Sequence, residues 1–457
     1  MLTLKQAASG IQAGTQGPDA SFSAVTSDSR ALRPGELFVA LKGERFDAHN
    51  FVSQAIAQGA AGAMVSQAEV EKRGEAWNNL PLIVVDDTRL ALGRLAAFWR
   101  ERQQLKLVAV TGSNGKTTVK EMLAAILRKA AGEEAVLATQ GNLNNDIGMP
   151  LTLLKLRGQH QFAVIEMGMN HPGEIAYLTQ IARPDVAVIN NAGAAHLAGL
   201  GSVEQVARAK GEIFQGLGPA GVAVINADEA YAPVWRELAQ GHPIIEFAQE
   251  HPAQVSATCR PGVLGSELEM RTPAGTFAVA LPVPGHHNVS NALAAAAAAF
   301  ALGVDNQAIA AGLSAFAGVK GRLQRKTGLH GATLIDDTYN ANPASVRAAI
   351  AVLASVPGRT ILVLGDMGEL GPDAPALHRE LGLTAREAGV DILFTLGDIS
   401  REAATAFGDN AWFFERIEEL LADLENLLGP DVTVLVKGSR FMQMERVVKS
   451  FEVRSEE

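Results

Sequence analysis

Residues 108–118 read Val-Ala-Val-Thr-Gly-Ser-Asn-Gly-Lys-Thr-Thr, which is the strongest single signal in the sequence. Its apolar β-branched residues predict a strand, its glycines a tight turn, and Lys-Thr the start of a helix. Small residues let backbone N–H groups converge on phosphate oxygens, and the dipole of the helix favours the same negative charge. Lys116 is placed to reach the terminal phosphates, and the hydroxyl of Thr117 to ligate Mg²⁺.

This loop departs from the generic phosphate-binding pattern at one position, where Val110 stands in place of the first glycine. An ordinary glycine turn before a helix is the alternative, but Gly-Lys-Thr at a strand–helix junction favours nucleotide binding. The predicted nucleotide-binding loop residues are Gly112, Ser113, Asn114, Gly115, Lys116, Thr117 and Thr118.

Predicted strands and helices alternate along most of the 457 residues, a length that suggests roughly three domains. Four apolar segments, at 107–110, 162–166, 186–190 and 222–226, predict a mostly parallel sheet covered by helices. The expected fold is therefore α/β, with a small N-terminal α/β domain, a central P-loop domain and a C-terminal Rossmann-like domain. The predicted boundaries are 1–82, 83–312 (with a connector helix over 83–104) and 313–457.

Composition limits the classes of function. The chain is 47% hydrophobic and 19% charged, as in folded proteins, and its formal charge of −10 argues against a general nucleic-acid binder. The single cysteine, Cys259, excludes an intrachain disulfide and fits the cytoplasm. The N-terminus does not resemble a signal peptide, and the apolar run 292–302 is too short to span a bilayer. We expect a soluble cytoplasmic protein without membrane insertion.

Polar residues follow several predicted strands, where ligands bind in parallel sheets. Glu166 is either a Mg²⁺ ligand or a member of a structural ion pair. His196 is either a surface histidine or a contact to metal or phosphate. Nothing in its surroundings marks Lys210 as special, and Arg322 is either a surface residue or reaches across a cleft to a terminal phosphate.

Three polar segments in the last domain also follow predicted strands. They are Asp-Asp-Thr-Tyr-Asn-Ala-Asn-Pro at 336–343, Gly-Asp-Met-Gly-Glu-Leu-Gly at 365–371 and Lys-Gly-Ser-Arg at 437–440. The paired aspartates are suited to bind a ribose or to position a nucleophile. Because the ends of parallel strands meet at one edge of a sheet, the three segments predict a substrate site.

In these motifs the chain resembles the Mur ligases, ATP-dependent amide ligases of bacterial cell-wall precursor synthesis. The resemblance covers essentially the whole chain and includes the Thr-Gly-x-x-Gly-Lys-Thr loop at 111–117 without the first consensus glycine. The other residues that fall in the family's order are Glu166, His196, His287, Asn288, Asn291, Arg322 and Asp337.

Within the family, the segments 140–150, 336–343, 364–371 and 436–440 resemble the members that add D-alanyl-D-alanine. The Ser-Asp-Ser-Arg segment from residue 27 onward resembles the UDP-binding domain that these members share with the ligase of the preceding step. Ala48 stands where relatives usually have glycine, and the Asp-Asn-Pro-Arg pattern of the diamino-acid-adding ligase is absent.

The resemblance implies roles for individual residues. Lys116, Lys210, His196 and Arg322 would be catalytic, and Lys210 would be carbamylated by CO₂. Thr117 and Glu166 would hold one Mg²⁺, while His196 and the carbamate of Lys210 would hold a second. Asn288 and Asn291 would contact the adenine of ATP, Asp337 its ribose and Arg322 its γ-phosphate. The implied substrate-binding residues are Ser27, Asp28, Ser29, Arg30, Gly43, Asp47, His49, Asn142, Asn144, Asn145, Tyr339, Asn340, Asn342 and Asp366.

The implied reaction is the joining of D-alanyl-D-alanine to UDP-N-acetylmuramoyl-tripeptide through an acyl phosphate, by an enzyme that we expect to be monomeric. Two alternatives within the same class are a ligase that adds a diamino acid and a folylpolyglutamate synthase-like ligase. An alternative from another class is a nucleotide-dependent switch that binds ATP without forming a bond.

Overall fold

The computed structural model describes residues 1–193, 200–262 and 265–453, which form three successive α/β units, each built on one main sheet. This confirms the predicted three-part α/β architecture. The alanine-rich run at 292–302 lies almost entirely in the buried helix His286–Ala301. In these described ranges, no helix has both the length and the apolar character that a bilayer crossing requires.

The first unit is a five-stranded sheet with short helices. Its strands lie in the spatial order Gly14–Gln16, Leu82–Val85, Gly62–Ser66, Glu36–Val39 and Ala24–Thr26. Its helices are Leu4–Gly10, Val52–Ala57 and Gln67–Arg73, and a two-stranded ribbon joins Leu2–Thr3 to Ser21–Phe22. Because strand Leu82–Val85 belongs to this sheet, a boundary after residue 82 would cut the strand, whereas one after Val85 leaves it intact.

The central unit is a sheet of nine described strands. Their spatial order is Gly275–Leu281, Ser266–Thr272, Val255–Pro261, Ile244–Ala248, Val222–Asn226, Val186–Ile189, Lys106–Thr111, Phe162–Glu166 and Val136–Ala138. The strands from 106 to 261 pair in parallel, and the last two add an antiparallel edge that the sequence did not predict.

Helices cover both faces of this central sheet. Alternate residues of strand Lys106–Thr111 join different cores, since Leu107 and Ala109 point to one face and Val108 and Val110 to the other. The described helices are Thr88–Glu101, Lys116–Ala131, Gly148–Leu153, Glu174–Ala182, Val203–Gly211, Ala232–Leu238, His286–Ala301 and Asn306–Ser314.

The last unit is a six-stranded sheet between two layers of helices. Its strands lie in the order Gln324–Thr327, Thr333–Asp337, Val432–Lys437, Arg359–Gly365, Ile392–Leu396 and Ala411–Phe414, and all but the first pair in parallel. Its helices are Pro343–Ala354, Ala374–Glu387, Arg401–Phe407, Ile417–Glu425 and Glu445–Phe451.

A close contact between two helices supports the helix that follows the phosphate loop. Helix Asn306–Ser314 packs on helix Lys116–Ala131, and Gly312 lies so close to it that a Cβ would stand 2.3 Å from the Cα of Ile126. Real Cβ atoms do not approach backbone atoms this closely. Only glycine therefore permits this packing.

We predict that Gly312→Ala destabilises the protein by about 1–3 kcal/mol, because the new methyl group overpacks the helix contact. Chemical denaturation of both proteins measures the difference. Gly158→Ala is the matched control, since a Cβ there meets nothing within 4 Å. Equal denaturation midpoints for Gly312→Ala and the unmodified protein would contradict the packing argument.

The central and last units also meet at the first turn of helix His286–Ala301. A Cβ on Gly285 would lie 2.7 Å from the ring of His287 and 3.1 Å from the side chain of Val352 in the last unit. Burial at this junction, with the positive charge of Lys437 as a second cause, lowers the pKa of His287 from 6.5 to about 4. The imidazole is therefore neutral at pH 7.

We predict that this histidine makes the fold sensitive to acid. Because the pKa of His287 is about 4 in the folded protein and about 6.5 when unfolded, the unfolded state binds more protons between these values. Stability from this group therefore falls as the pH falls below 6.5, by about 2 kcal/mol between pH 7 and pH 5. Chemical denaturation across this range should show a weaker pH dependence for His287→Asn. His171→Asn, at an exposed position, should keep the original dependence, and equal slopes for all three proteins would refute the prediction.

Candidate active site

The phosphate loop occupies residues 112–115, between strand Lys106–Thr111 and helix Lys116–Ala131. Gly115 has a φ of 77°, and a Cβ there would lie 2.3 Å from the amide oxygen of Asn291, so both conformation and space require glycine. Lys116 folds back over the loop, and its Nζ donates to the carbonyl oxygen of Gly112 at 2.7 Å. Burial lowers the pKa of Lys116, against the opposing effect of Glu166.

Glu166 ends its strand beside this loop and is 2% exposed. Its carboxylate accepts one hydrogen bond from the Thr117 hydroxyl and one from Asn144 Nδ2, both at 2.8 Å. These partners are neutral, in contrast to the structural ion pair that the sequence left open. A carboxylate and a hydroxyl side by side at the start of the helix offer the hard oxygen ligands that Mg²⁺ prefers.

Lys210 lies in helix Val203–Gly211 and is 2% exposed, whereas its sequence surroundings suggested a solvated helix. Burial lowers the pKa of its amine well below the usual value, and the charge of Lys116 lowers it further. Among the described residues, its Nζ has no hydrogen-bond or ion-pair partner. Burial therefore favours the neutral form of this amine, which lies near Lys116.

Residues of the last unit reach the phosphate loop of the central unit. Arg322 Nη2 donates to the hydroxyl oxygen of Thr117 at 3.0 Å, and its guanidinium lies 4.5 Å from the centre of the Tyr339 ring. Asn342 Nδ2 donates to Asn114 Oδ1 at 2.8 Å. Arg322 is therefore a cleft residue, and the surface alternative is wrong.

Three strand ends converge in the last unit, as the sequence predicted. Strands Thr333–Asp337, Val432–Lys437 and Arg359–Gly365 are neighbours in the sheet, so the segments that follow them lie side by side. The hydroxyl of Ser439 donates to the carbonyl oxygen of Ala341 at 3.3 Å and accepts from the backbone N–H of Gly368 at 2.8 Å. The three polar segments form one surface.

The structure distinguishes the two adjacent aspartates. Asp336 accepts hydrogen bonds from the backbone and hydroxyl of Thr338 and serves the turn itself. Asp337 accepts from Lys437 Nζ at 2.6 Å in a buried pair. Burial raises the pKa of Asp337, while Lys437 opposes that shift. Asp337 is therefore the aspartate that pairs with Lys437 of the neighbouring strand, whereas Asp336 lies 3.5 Å from Lys326.

The remaining candidates of the last unit have partners within the fold. The carbonyl oxygen of Asn340 accepts from Lys437 Nζ at 3.0 Å. Asn342 caps helix Pro343–Ala354 by accepting from the N–H of Ser345. The carboxylate of Asp366 accepts from the N–H of Ser400 at 2.7 Å, so it holds the turn before the next helix.

The two asparagines assigned to adenine lie in a row of amides beside the phosphate loop. Asn291 Nδ2 donates to Asn288 Oδ1 at 3.2 Å, and Asn288 Nδ2 donates to the carbonyl oxygen of Pro284 at 2.7 Å. Asn190 Nδ2 donates both to Asn291 Oδ1 at 2.8 Å and to the backbone oxygen of Asn114 at 3.1 Å.

Loop 140–150 of the central unit contributes one residue to the site. Asn144 reaches Glu166, as described above. Asn145 Oδ1 accepts from the N–H of Gly148 at 2.9 Å and starts helix Gly148–Leu153. Asn142 is exposed, and its carbonyl oxygen accepts from the N–H of Asn144 at 2.7 Å.

The candidates of the first unit form two local clusters. Asp28 pairs with the exposed Arg30, and the hydrogen bonds from this arginine lower the pKa of Asp28 to about 2. Ser27 and Ser29, the neighbours of Asp28 in the sequence, are half-buried. Gly43 bonds through its N–H to the carbonyl oxygen of Phe46.

His49 of the first unit is 2% exposed and uses both ring nitrogens within the fold. Its Nδ1 contacts Asp47 Oδ1 at 2.6 Å, and its Nε2 accepts from the N–H of Ser66 at 3.1 Å. The ring therefore links Asp47 to the backbone of Ser66, and both ring nitrogens are already engaged in this arrangement.

His196 lies outside the described residues. Within the described ranges, no group of three or more His, Cys, Asp or Glu side chains is arranged to hold a metal ion.

Three residues of the site were not assigned roles from the sequence. Asn190 and Asn191 follow strand Val186–Ile189 directly, and their amides hold the backbone of Asn114. Lys437 lies opposite Asp337 in the register of two parallel strands. A polar residue at the end of an apolar strand, or directly after it, was the available signal in each case.

Three family models match consecutive parts of the chain. The Mur ligase family catalytic domain matches residues 21–100, the Mur ligase middle domain residues 110–299, and the Mur ligase glutamate ligase domain residues 321–440. Together they cover most of the chain and follow the same order as the three units of the fold.

Whole-chain relatives agree with these models. The UDP-N-acetylmuramoyl-tripeptide--D-alanyl-D-alanine ligase of Escherichia coli is 44% identical over 99% of this chain and 98% of its own. The structure of MurF from Acinetobacter baumannii is 40% identical, with a TM-score of 0.90 and 98% of both chains covered. MurF from Thermotoga maritima in complex with ADP is 28% identical, covers 93% of this chain and 96% of its own, and has a TM-score of 0.81. The chain belongs to the Mur ligase family of ATP-dependent ligases.

Proposed function

We propose that this protein joins D-alanyl-D-alanine to UDP-N-acetylmuramoyl-tripeptide, giving UDP-N-acetylmuramoyl-pentapeptide, ADP and phosphate. The observation that carries the proposal is the meeting of Thr117, Glu166 and Arg322 across the boundary between two units. This constellation suits transfer of a γ-phosphoryl group, and the relatives that span the chain bear the name of this ligase.

The reaction proceeds in two steps. An oxygen of the tripeptide's terminal carboxylate attacks the γ-phosphorus of ATP, the bond to the β-phosphate oxygen breaks, and an acyl phosphate and ADP form. The neutral amine of D-alanyl-D-alanine then attacks the acyl carbon, phosphate leaves, and the amine loses a proton. Lys116 and Arg322 stabilise the charge on the phosphoryl oxygens, because both cations lie at the loop.

The residues at the loop fit a Mg²⁺ ion. Thr117 and Glu166 would hold it with hard oxygen atoms, and the observed 2.8 Å hydrogen bond between them shows that both reach one point. When bound, the ion neutralises negative charge on the phosphates during transfer. Asn144 keeps the carboxylate of Glu166 oriented through its second oxygen.

Lys210 would supply a ligand for a second Mg²⁺, together with His196. Its buried amine is favoured in the neutral form, and a neutral amine can attack CO₂. The new N–C bond and the loss of a proton give a carbamate, which is an anion with two oxygen ligands. A buried lysine whose amine is favoured in the neutral form can give rise to a carbamate.

The three units would bind different parts of the substrates. Residues 1–82, with Ser27, Asp28, Arg30, Asp47 and neighbouring positions, would take the UDP group of the donor. Residues 83–312 would bind ATP, with Asn288 and Asn291 at the adenine. Residues 313–457 would place Asp337 at the ribose and bind D-alanyl-D-alanine near 339–342 and 366.

Water has to be excluded, because it hydrolyses an acyl phosphate. The contacts from Arg322 and Asn342 to the phosphate loop provide the means by which the last unit covers the site. We further propose that the enzyme acts as a monomer in the cytoplasm, where ATP and the nucleotide-linked donor are available.

We predict that phosphate release from ATP requires both UDP-N-acetylmuramoyl-tripeptide and D-alanyl-D-alanine, and that mass spectrometry detects the pentapeptide product. Lys116→Ala should reduce this rate by at least about a hundredfold, since it removes a cation that acts on the transferring group. Near-normal turnover in Lys116→Ala would refute its assigned role.

Varying the amine substrate and the carboxylate substrate also distinguishes the alternative functions. Stimulation by a diamino acid with a dipeptide donor would indicate the ligase of the preceding step, and stimulation by glutamate with a folate would indicate a folylpolyglutamate synthase. Phosphate release that ignores all of these compounds would favour a nucleotide-dependent switch.

We predict that Lys210 carries a carbamate in the active enzyme. Depletion of CO₂ should lower the ligation rate, and added bicarbonate should restore it. In material treated with ¹³C-bicarbonate, a ¹³C carbamate signal should be present and should be lost in Lys210→Arg. Lys155→Arg, at an exposed lysine, is the control that should keep the signal. A full rate in Lys210→Arg, or no effect of CO₂, would contradict this role.

A further inference from the structure

A directional chain of amides connects the phosphate loop with the residues assigned to adenine. Asn190 Nδ2 donates to Asn291 Oδ1 at 2.8 Å, and Asn291 Nδ2 donates to Asn288 Oδ1 at 3.2 Å. All three asparagines are buried, with exposed fractions of 1%, 3% and 6%. Each amide therefore determines the orientation of the next one.

Backbone carbonyl oxygens fix the direction of this chain at both ends. Asn190 Nδ2 also donates to the carbonyl oxygen of Asn114 at 3.1 Å, and Asn288 Nδ2 donates to that of Pro284 at 2.7 Å. A carbonyl oxygen only accepts hydrogen bonds. Rotation of any of the three amides by 180° would place two acceptors or two donors against each other.

Only the Nδ2 group of the Asn190 amide forms hydrogen bonds in the described structure. Its Oδ1 is buried and has no hydrogen-bond partner among the residues that the structure describes, an arrangement that destabilises a protein. An apolar side chain would avoid this unsatisfied acceptor but could not donate to Asn114 or Asn291. The requirement at this position is therefore for the Nδ2 donor.

We propose that Asn190 is a positioning residue for base selection: through Asn291 it holds the amide of Asn288 in the orientation that reads adenine. The inference rests on the proposed function, in which Asn288 contacts the base. After its bonds to Asn291 and Pro284, the Asn288 amide keeps one N–H donor and one acceptor lone pair for a ligand.

The orientation of the Asn288 amide determines which of two purine bases it can hydrogen-bond. Adenine presents a donor at its exocyclic amine and an acceptor at N1, whereas hypoxanthine presents an acceptor at O6 and a donor at N1–H. The two patterns are reversed, so an amide that suits one base suits the other only after rotation by 180°. A fixed Asn288 therefore favours ATP over ITP.

The test compares the dissociation constants of Mg·ATP and Mg·ITP for the full chain by calorimetry. Asn190→Ala should lower the preference for ATP over ITP by about fivefold, the worth of one hydrogen bond. Asn191→Ala is the matched control, because Asn191 also donates to Asn114 O, at 3.0 Å, but has no contact with Asn291 in the described structure. It should weaken both nucleotides equally and leave their ratio unchanged.

Two further variants keep the outcomes distinct. Asn190→Asp retains the shape but replaces the donor with an acceptor, so it should lower the ATP preference at least as much, and it serves if Asn190→Ala does not fold. Asn288→Ala should also abolish the preference. An unchanged ratio in Asn288→Ala would overturn the base contact in the proposed function. Two outcomes would overturn the role of Asn190 and leave the proposed function intact. In the first, the ATP to ITP affinity ratio changes in Asn288→Ala but in neither Asn190 variant. In the second, Asn190→Ala and Asn191→Ala change the ratio equally.

Discussion

The parallel pairing of strands Lys106–Thr111 and Phe162–Glu166 is the constraint on which the site depends. Its register sets Glu166 opposite Val110, so the carboxylate emerges beside the start of the next helix. There it meets the hydroxyl of Thr117 at 2.8 Å. A shift of the register by one residue would turn Glu166 to the opposite face of the sheet and separate the two groups. Backbone hydrogen bonds thus determine the position of the phosphate-binding chemistry.

Two basic side chains, Lys116 and Arg322, lie near one carboxylate, Glu166, at the phosphate loop. Burial, together with the positive charge of Arg322, lowers the pKa of Lys116. The protein tolerates this cluster since burial favours neutral amines over charged ones. Arrival of a triphosphate supplies the missing negative charge, so the same residues that repel each other in the free protein attract the substrate.

Much of the fold was predictable because buried parallel strands are uninterrupted apolar runs. Strand Phe162–Glu166 was predicted to the residue, and so was Val222–Asn226. The antiparallel edge, such as strand Ser266–Thr272, was missed because alternation of charged and apolar residues gave it no such run.

The site was predictable only in part. Residues that directly follow strands could be identified, as with Glu166 and Asp337. The burial of Lys210 could not be predicted, because its helix reads as charged and only tertiary packing encloses it. Asn190 was missed for a similar reason, since its partner Asn291 is 101 residues away in sequence. The buried pair of Asp337 and Lys437 has an evolutionary consequence. The two residues face each other on neighbouring strands, so replacing one alone would leave an uncompensated buried charge. Across homologous chains these two positions should therefore covary, with both charges retained together or both lost together.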